Sequence, residues 1–507
     1  MNGAFRQSMG WLHTWGGLVV GWILFFVFLT GTAGYFDEEI DRWMQPERPL
    51  AVADVAPAGV VETARTYLSE TAPGAERWLI RFPDTRAPDL FVFWRMPPGA
   101  DGERGKSGRA RLDAATGEPI IHRATGGGQL LYQMHYELHY LPLHWAYWLV
   151  GVCSMIMLIA IVTGVIIHKR IFRDFFTFRS SKGQRSWLDA HNALSVLALP
   201  FHFMITWSGL VFFAQLYMSP VIDVTYGTDD RSRAEYFDEI RDRSKIPDRA
   251  EVAETAVSVA PLLDDAVARL NDGRVNGVSV YNPGDKNTRI VFLGGRPGPA
   301  RDRVEVMYDG TSGQHLHTAD QSGAPVTTYF TLLGLHEGLF AGPVLRWLYF
   351  LSGLMGTAMI GAGLVLWTTK RRARIGDTLG FRLVERLNIG TVAGLPIAVA
   401  AYFWANRLIP VGIEGRAAWE AHAMFIVWGL MLAHAFVRRP ARGWGEQLWL
   451  GAAAFGLIPV LNWLTTDRHL GVTLSAGAWD LAGFDLTVLA LGLAFAASAR
   501  IAGRRNG

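Results

Sequence analysis

The chain holds one cysteine, Cys153, in 507 residues. A single thiol excludes an internal disulfide framework, a cysteine-ligated iron–sulfur cluster, a Cys-x-x-Cys redox pair and a covalently attached c-type haem. Charge is also scarce: Asp, Glu, Lys and Arg make up 18% of the residues, where a soluble domain carries about 25%. The net charge of +3 is small and segregated into short loops, which excludes nucleic-acid binding. No Gly-x-Gly-x-x-Gly follows a strand-like run, and no Walker loop occurs. A nicotinamide or flavin domain is therefore not expected, and electrons for any redox chemistry must come from a membrane quinol or a separate cytoplasmic protein.

What is abundant is apolar surface. Apolar residues reach 50%, tryptophan alone numbers 19, and the mean hydropathy is +0.17. A spanning helix needs about 20 mostly apolar residues. Eight runs qualify: Leu12–Phe36, Trp145–His168, Trp187–Leu216, Val344–Thr368, Asn388–Trp404, Trp419–Phe436, Leu448–Leu464 and Leu481–Ile501. The first run is longer than a signal-peptide core and starts at His13, so it is read as retained. Lys and Arg cluster after the second, fourth, sixth and eighth runs, in 169–185, 370–386, 438–442 and 500–505. All four clusters agree on cytoplasmic termini. The insertions at about 37–143 and 217–342 then lie outside. In a bacterium, that is the periplasmic side of the inner membrane.

The two insertions share one coarse order. A helical stretch, Val60–Glu70 or Leu262–Leu270, precedes strand-like runs at Trp78–Phe82 and Leu90–Trp94, or at Val278–Tyr281 and Arg289–Leu293. Each closes on an Asp-x-x-(Ser/Thr)-Gly turn, Asp113–Gly117 or Asp309–Gly313, in which Asp caps the turn and Gly takes a positive φ. An offset of 201 places His135 on His336, Pro142 on Pro343 and Lys169 on Lys370; an offset of 178 places His13 on His191. The expected fold is therefore a mainly α-helical membrane protein of about eight spans, its first four helices internally duplicated, with two periplasmic α+β insertions. The segments are 1–40, 41–130, 131–216, 217–330 and 331–375, followed by an appended four-helix bundle at 388–507.

The stretch from His135-Tyr-Glu-Leu-His139 through His168-Lys-Arg to Asp189-Ala-His191-Asn192 and Leu199-Pro-Phe-His202, with Leu335-His336-Glu337 and Leu366-Trp-Thr-Thr-Lys370, resembles the PepSY-associated transmembrane family. The resemblance covers roughly 5–375. It implies PepSY-like insertions and, in some members, an inner-membrane reductase of ferric siderophores carrying two non-covalent b haems. Other members are known only as iron-regulated membrane proteins, so the family alone does not fix the activity.

Histidine ligates haem iron without a covalent bond to the porphyrin, and facing helices of a bundle can supply one imidazole each. His191 and His202 are 11 residues apart; on one continuous helix that is about 20° past three turns, with a rise of about 16.5 Å. The arithmetic puts both on one face, as two stacked haems require. His13, the counterpart of His191, is expected to share the inner haem with it. His168, at the same level, is an alternative ligand or a contact to a haem propionate. For the outer haem, His202 is expected to pair with a member of the His135, His139 and His336 group. Failing that, His135 or His139 pairs with His336, and His202 packs nearby. His135 and His139 are i,i+4 and so share a helix face. Tyr136 follows His135 where a zinc protease has glutamate, which argues against a zinc peptidase. His144 sits in an aromatic belt; His122, His315, His317 and His469 read as loop residues; His422 and His434 are out of register.

The expected function is a haem-dependent ferric-chelate reductase passing electrons outward to a ferric siderophore. Two alternatives stand beside it: a PepSY-domain binding protein anchored by its helices, and a transporter component for iron or siderophore.

Overall fold

A computed structural model describes residues 3–99, 105–168, 172, 179, 183–229, 232, 236, 246–270, 273–295, 298–300, 304–319 and 323–506. Lys169, Arg170, Arg173 and Lys182 of the basic loop lie outside the described residues. In chain order the elements are α1 (Gly3–Ala33), α2 (Asp37–Met44), α3 (Pro57–Thr71), β1 (Arg77–Arg81), β2 (Leu90–Arg95), β3 (Ser107–Leu112), α4 (Gly127–Glu137), α5 (Leu143–Ile167), α6 (Gln184–Leu197), α7 (Leu199–Phe212) and α8 (Ser219–Tyr226). They continue as α9 (Ala260–Arg269), β4 (Arg274–Tyr281), β5 (Arg289–Gly295), β6 (Val304–Asp309), β7 (His315–Ala319), α10 (Ala324–Glu337) and α11 (Pro343–Ile375). The rest is α12 (Leu379–Asn388), a π-turn at Ile389–Ala393, α13 (Gly394–Leu408), α14 (Arg416–Val437), α15 (Pro440–Gly456), α16 (Ile458–Thr465), α17 (Leu470–Ser475) and α18 (Trp479–Asn506).

Among the described residues, seven helices are long and apolar enough to span a membrane, or eight if one bent pair counts as a span. The bent pair corrects an expectation. The run Trp187–Leu216 is not one helix: α6 and α7 meet at Ala198 with a bend of 69°. The cause is Leu199-Pro200. Pro200 lacks an N–H to donate to the Val196 carbonyl, and its ring clashes with that carbonyl, so α6 ends one turn before it.

The chain forms two compact units. One comprises 47–122 and 214–340. Here the two expected insertions do not form separate sheets. They make a single antiparallel sheet of order β3-β2-β1-β4-β5-β6-β7. The join is β1 against β4, with Trp78 opposite Val280 and Ile80 opposite Val278. The reason is the edge each half would otherwise leave open: pairing β1 with β4 satisfies both rows of backbone groups. Val60, Ala64 and Leu68 of α3, with Leu263 and Ala266 of α9, share one buried core with Ile80, Val92, Val278, Phe292 and Val306. The strand β7, carrying His315 and His317, stands where loop was expected.

The twin turns are built alike. Asp113 accepts from the N–H groups of Ala115 and Thr116, both at 2.9 Å. Asp309 accepts from those of Thr311 and Ser312 at 3.1 and 2.9 Å. Gly117 and Gly313 follow at φ 77° and 73°. Burial works against ionisation of Asp309, but the Ser312 and Thr311 donors outweigh it and hold the carboxyl at about 2.

The other unit comprises 1–46, 123–213 and 341–507. Helices α1, α5, α6 and α11 pack together in it. The expected appended bundle belongs to this same unit and is tied to it by buried polar groups. Glu420 of α14 and Arg416 are both fully buried and paired at 2.5 Å. Glu420 also accepts from Asn406 Nδ2 at 2.7 Å, Thr125 Oγ1 at 2.6 Å and the Gly126 N–H at 3.0 Å. Arg407 lies 3.8 Å over the Trp43 ring, and Trp43 Nε1 donates to Asp485 at 3.0 Å. These bonds join α2, the segment before α4, α13, α14 and α18. The last four spans are therefore built into the first four.

Two outcomes follow. Glu420→Ala strands the buried Arg416 charge and should cost about 3 kcal/mol or more, read as a fall in the thermal midpoint of the purified protein. Asp309, held at about 2 in the folded unit against about 4 unfolded, stabilises the fold above pH 4. That contribution is lost as pH falls from about 4 to 2. The protection of the β6–β7 peptide against hydrogen exchange, taken relative to the intrinsic rate at each pH, should fall over this window in the wild type, and in Asp309→Ala it should be low at all pH values.

Candidate functional site

Within the membrane unit, α1, α5, α6, α7 and α11 line a cavity of about 300 Å³. Its wall is mainly Gly, Leu, Ile and Val, and it includes four histidines: His13, His168, His191 and His202. The sequence expected His13, His168 and His191 at one level and His202 at a separate outer site; the structure lines one cavity with all four.

His13 of α1 and His191 of α6 are held by the same device. The His13 Nδ1–H donates to the Ala160 carbonyl of α5 at 2.9 Å. The His191 Nδ1–H donates to the Met359 carbonyl of α11 at 2.9 Å. One turn after each carbonyl comes a glycine. A Cβ on Gly164 would stand 3.2 Å from His13 Cε1, and one on Gly363 would stand 3.2 Å from His191 Cε1 and Nδ1. Each ring thus lies against bare helix backbone. Fixing the proton on Nδ1 leaves the Nε2 lone pair available. The two ring centroids are 6.2 Å apart, with planes at 74°. Metal–nitrogen bonds of about 2 Å on both sides of one ion set imidazole centroids about 6 Å apart. The separation is one at which both imidazoles could bind a single metal ion.

The equivalent positions here, Ala160 with Met359 and Gly164 with Gly363, differ by 199, whereas Pro142 with Pro343 and Lys169 with Lys370 differ by 201.

His202 is buried, and its Nε2–H donates to the Ser352 carbonyl at 3.3 Å. A Cβ on Gly356 would stand 3.1 Å from His202 Nε2. Its Nδ1 has no partner among the described residues. Ser352 and Met359, like Gly356, Gly363 and Lys370, are seven residues apart, so α11 presents them as one stripe. The spacing of His191 and His202 is thus set by α11, at about 10 Å. The continuous-helix value of about 16.5 Å does not apply, because the two residues sit on α6 and α7 across the 69° bend. The rings beside His202 are Phe201 and Phe28, at 6.0 and 6.3 Å between centroids. Of the group expected to pair with it, His135 and His139 do not line this cavity, and His336 belongs to the other unit.

His135 and His139 do not line the cavity, nor do they share a helix face. Helix α4 stops at Glu137, and both Leu138 and His139 take φ 52°. Left-handed backbone in two non-glycine residues is strained. His135 bonds the Tyr132 carbonyl and lies against Gly31, whose Cβ would stand 3.4 Å from it. Burial, offset in part by that bond, pushes His135 down to about 4 and keeps it neutral. His139 stacks on Phe425 at 5.5 Å; burial and the nearby His422 lower it. Tyr140 donates to His422 Nδ1 at 2.6 Å, so His422, set aside in the sequence, belongs with His139 and Tyr140. His336 stands in the last turn of α10, in the other unit. His144 packs on Trp145 and Trp148. His434 donates to Glu446 at 2.8 Å.

The PepSY-associated TM region model matches residues 10–370. An uncharacterized protein of Pseudomonas aeruginosa is 26% identical over 296 residues, covering 55% of this chain and 73% of that protein. The match of the family model runs from before His13 to the Lys370 end of α11, and the chain belongs to the PepSY-associated transmembrane family.

Proposed function

We propose that this multi-pass membrane protein is a b-type haem oxidoreductase of the bacterial inner membrane, passing electrons outward to reduce a ferric siderophore or another ferric chelate. The observation that carries the reading is the His13–His191 pair. Two imidazoles from separate helices face each other at 6.2 Å, each with Nδ1 bonded to a helix carbonyl and each lying on a glycine. An ordinary packing histidine needs neither a second imidazole beside it nor a matched cradle. The orphaned, buried Nδ1 of His202 in the same cavity is a second sign of a missing polar partner.

A haem bound between His13 and His191 supplies one-electron transfer. The chain's own part is to fix the tautomer and plane of both rings, so that each presents Nε2. The Ala160 and Met359 carbonyls do this and raise the basicity of the rings. The apolar wall around the pair keeps water out. Electrons enter from a quinol or a cytoplasmic protein. Lys370, Arg371, Arg372 and Arg374 end α11, and the preference of such residues for the cytoplasm sets the outward direction. Fe(II) leaves a siderophore far more readily than Fe(III), so reduction releases the iron.

Visible spectra of the purified protein test the reading. The wild type should show low-spin b-haem bands on reduction with dithionite. His13→Ala and His191→Ala should each remove the same haem. His202→Leu should leave it in place, and Gly363→Leu, which pushes a side chain into the His191 ring, should weaken it. A colourless wild type, or full haem content in both alanine variants, would refute the assignment. Direction is read separately: Asp309→Cys should react with an impermeant thiol reagent in intact spheroplasts, and Arg374→Cys should not. The reverse pattern would turn the electron path inward.

A further inference from the structure

We propose that Lys370, Arg371 and His168 form an anion clasp at one end of the histidine cavity, binding the carboxylates of a porphyrin held at His13 and His191. The inference rests on the haem reading above and adds to it the residues that orient the ring. All three side chains line the cavity, whose wall is otherwise mainly apolar. Lys370 is exposed and Arg371 half-buried, so both cations keep access to solvent and would attract an anionic group held in the cavity.

The placement follows from α11. Lys370 continues the stripe of Gly356 and Gly363, seven residues beyond the glycine that cradles His191. Seven residues are two turns, or about 10 Å, on the same face. Helical side chains lean toward their own N-terminus, so Lys370 and Arg371 reach back toward the histidine pair. Arg371 is held in place: its guanidinium lies 4.6 Å over Trp367 and 5.7 Å over Trp15. Stacking uses the faces of a guanidinium and leaves its N–H edge for a planar carboxylate. One N–H reaches the Trp367 carbonyl at 3.5 Å, a long and weak bond.

His168 supplies the neutral member. Asn192 Nδ2 donates to His168 Nε2 at 3.0 Å, which puts the ring proton on Nδ1. That Nδ1–H is buried with no partner among the described residues. A buried donor without an acceptor is unfavourable, and a carboxylate oxygen would satisfy it. An anionic lipid phosphate offers related chemistry, and the test separates the two sources.

The experiment compares two porphyrins on haem-stripped, full-length protein: haem b and its dimethyl ester, in which both carboxylates are masked. Affinities are read by Soret titration in nanodiscs of phosphatidylcholine, with and without phosphatidylglycerol. The wild type should bind haem b at least about tenfold more tightly than the ester, as charge-assisted bonds to each carboxylate require. The Lys370→Gln/Arg371→Gln variant should bind both alike, at the wild-type ester affinity. The wild-type comparison stands by itself should the variant fold poorly. Equal affinities in the wild type would overturn the clasp while leaving the histidine pair intact. So would a preference that appears only with phosphatidylglycerol, since the cations would then serve lipid. Failure of the wild type to bind either porphyrin would instead overturn the haem reading and the clasp with it.

Discussion

The site depends on one repeated interaction: an imidazole Nδ1–H donated to a helix carbonyl, with a glycine one turn further on. The bond fixes the ring's tautomer, and the glycine lets the ring lie against backbone. Ala160 with Gly164 does this for His13, and Met359 with Gly363 does it for His191. Carbonyls inside a helix are already engaged by the chain four residues on. A second donor is accommodated because each carbonyl oxygen has two lone pairs. In an apolar span such a bond is also hard to replace, since no water competes for the donor. The helices that present these carbonyls, α5 and α11, both run against α1. The position of α1 therefore decides whether the two rings face each other.

The buried ion network of the later spans holds that position from one side. Glu420, Arg416, Arg407 and Asp485 are buried, and they bond to Thr125, Trp43 and Asn462, residues spread over the start, middle and end of the chain. Such charges are costly to bury and are kept when their partners are complete. Trp22 of α1 donates to Asn388 at 2.9 Å, and Asn388 donates to the Leu364 carbonyl of α11 at 2.9 Å. That chain of bonds reaches the cavity wall at Leu364. The later helices thus brace the earlier ones from both the polar network and the Asn388 bridge.

Much of this was legible in the sequence, and the exceptions have physical causes. Apolar length predicted the spans, and His13 with His191 emerged from the offset of 178. The break at Ala198 was carried by Leu199-Pro200, whose effect on helix geometry outweighs the apolar run around it. Ignoring it made His191 and His202 neighbours on one face. The cradles were hidden because Gly164 and Gly363 look like any glycine in a membrane helix; their meaning lies in which ring comes to rest on them. The seven-residue repeat of Gly356, Gly363 and Lys370 was open to view, and only the fold gave it a purpose. The β1–β4 join could not be read either, because edge pairing between segments nearly 200 residues apart leaves no local pattern. His139 was placed on a helix that ends two residues before it, since nothing in Leu138-His139 announces a left-handed turn.

Electron paramagnetic resonance of the oxidised protein tests the central claim most directly, because it reports the two rings and not merely the presence of iron. If His13 and His191 together hold a haem, the oxidised protein would give a low-spin ferric signal, and that signal would be lost in both His13→Ala and His191→Ala. A high-spin signal, or no haem signal at all in the wild type, would contradict the account.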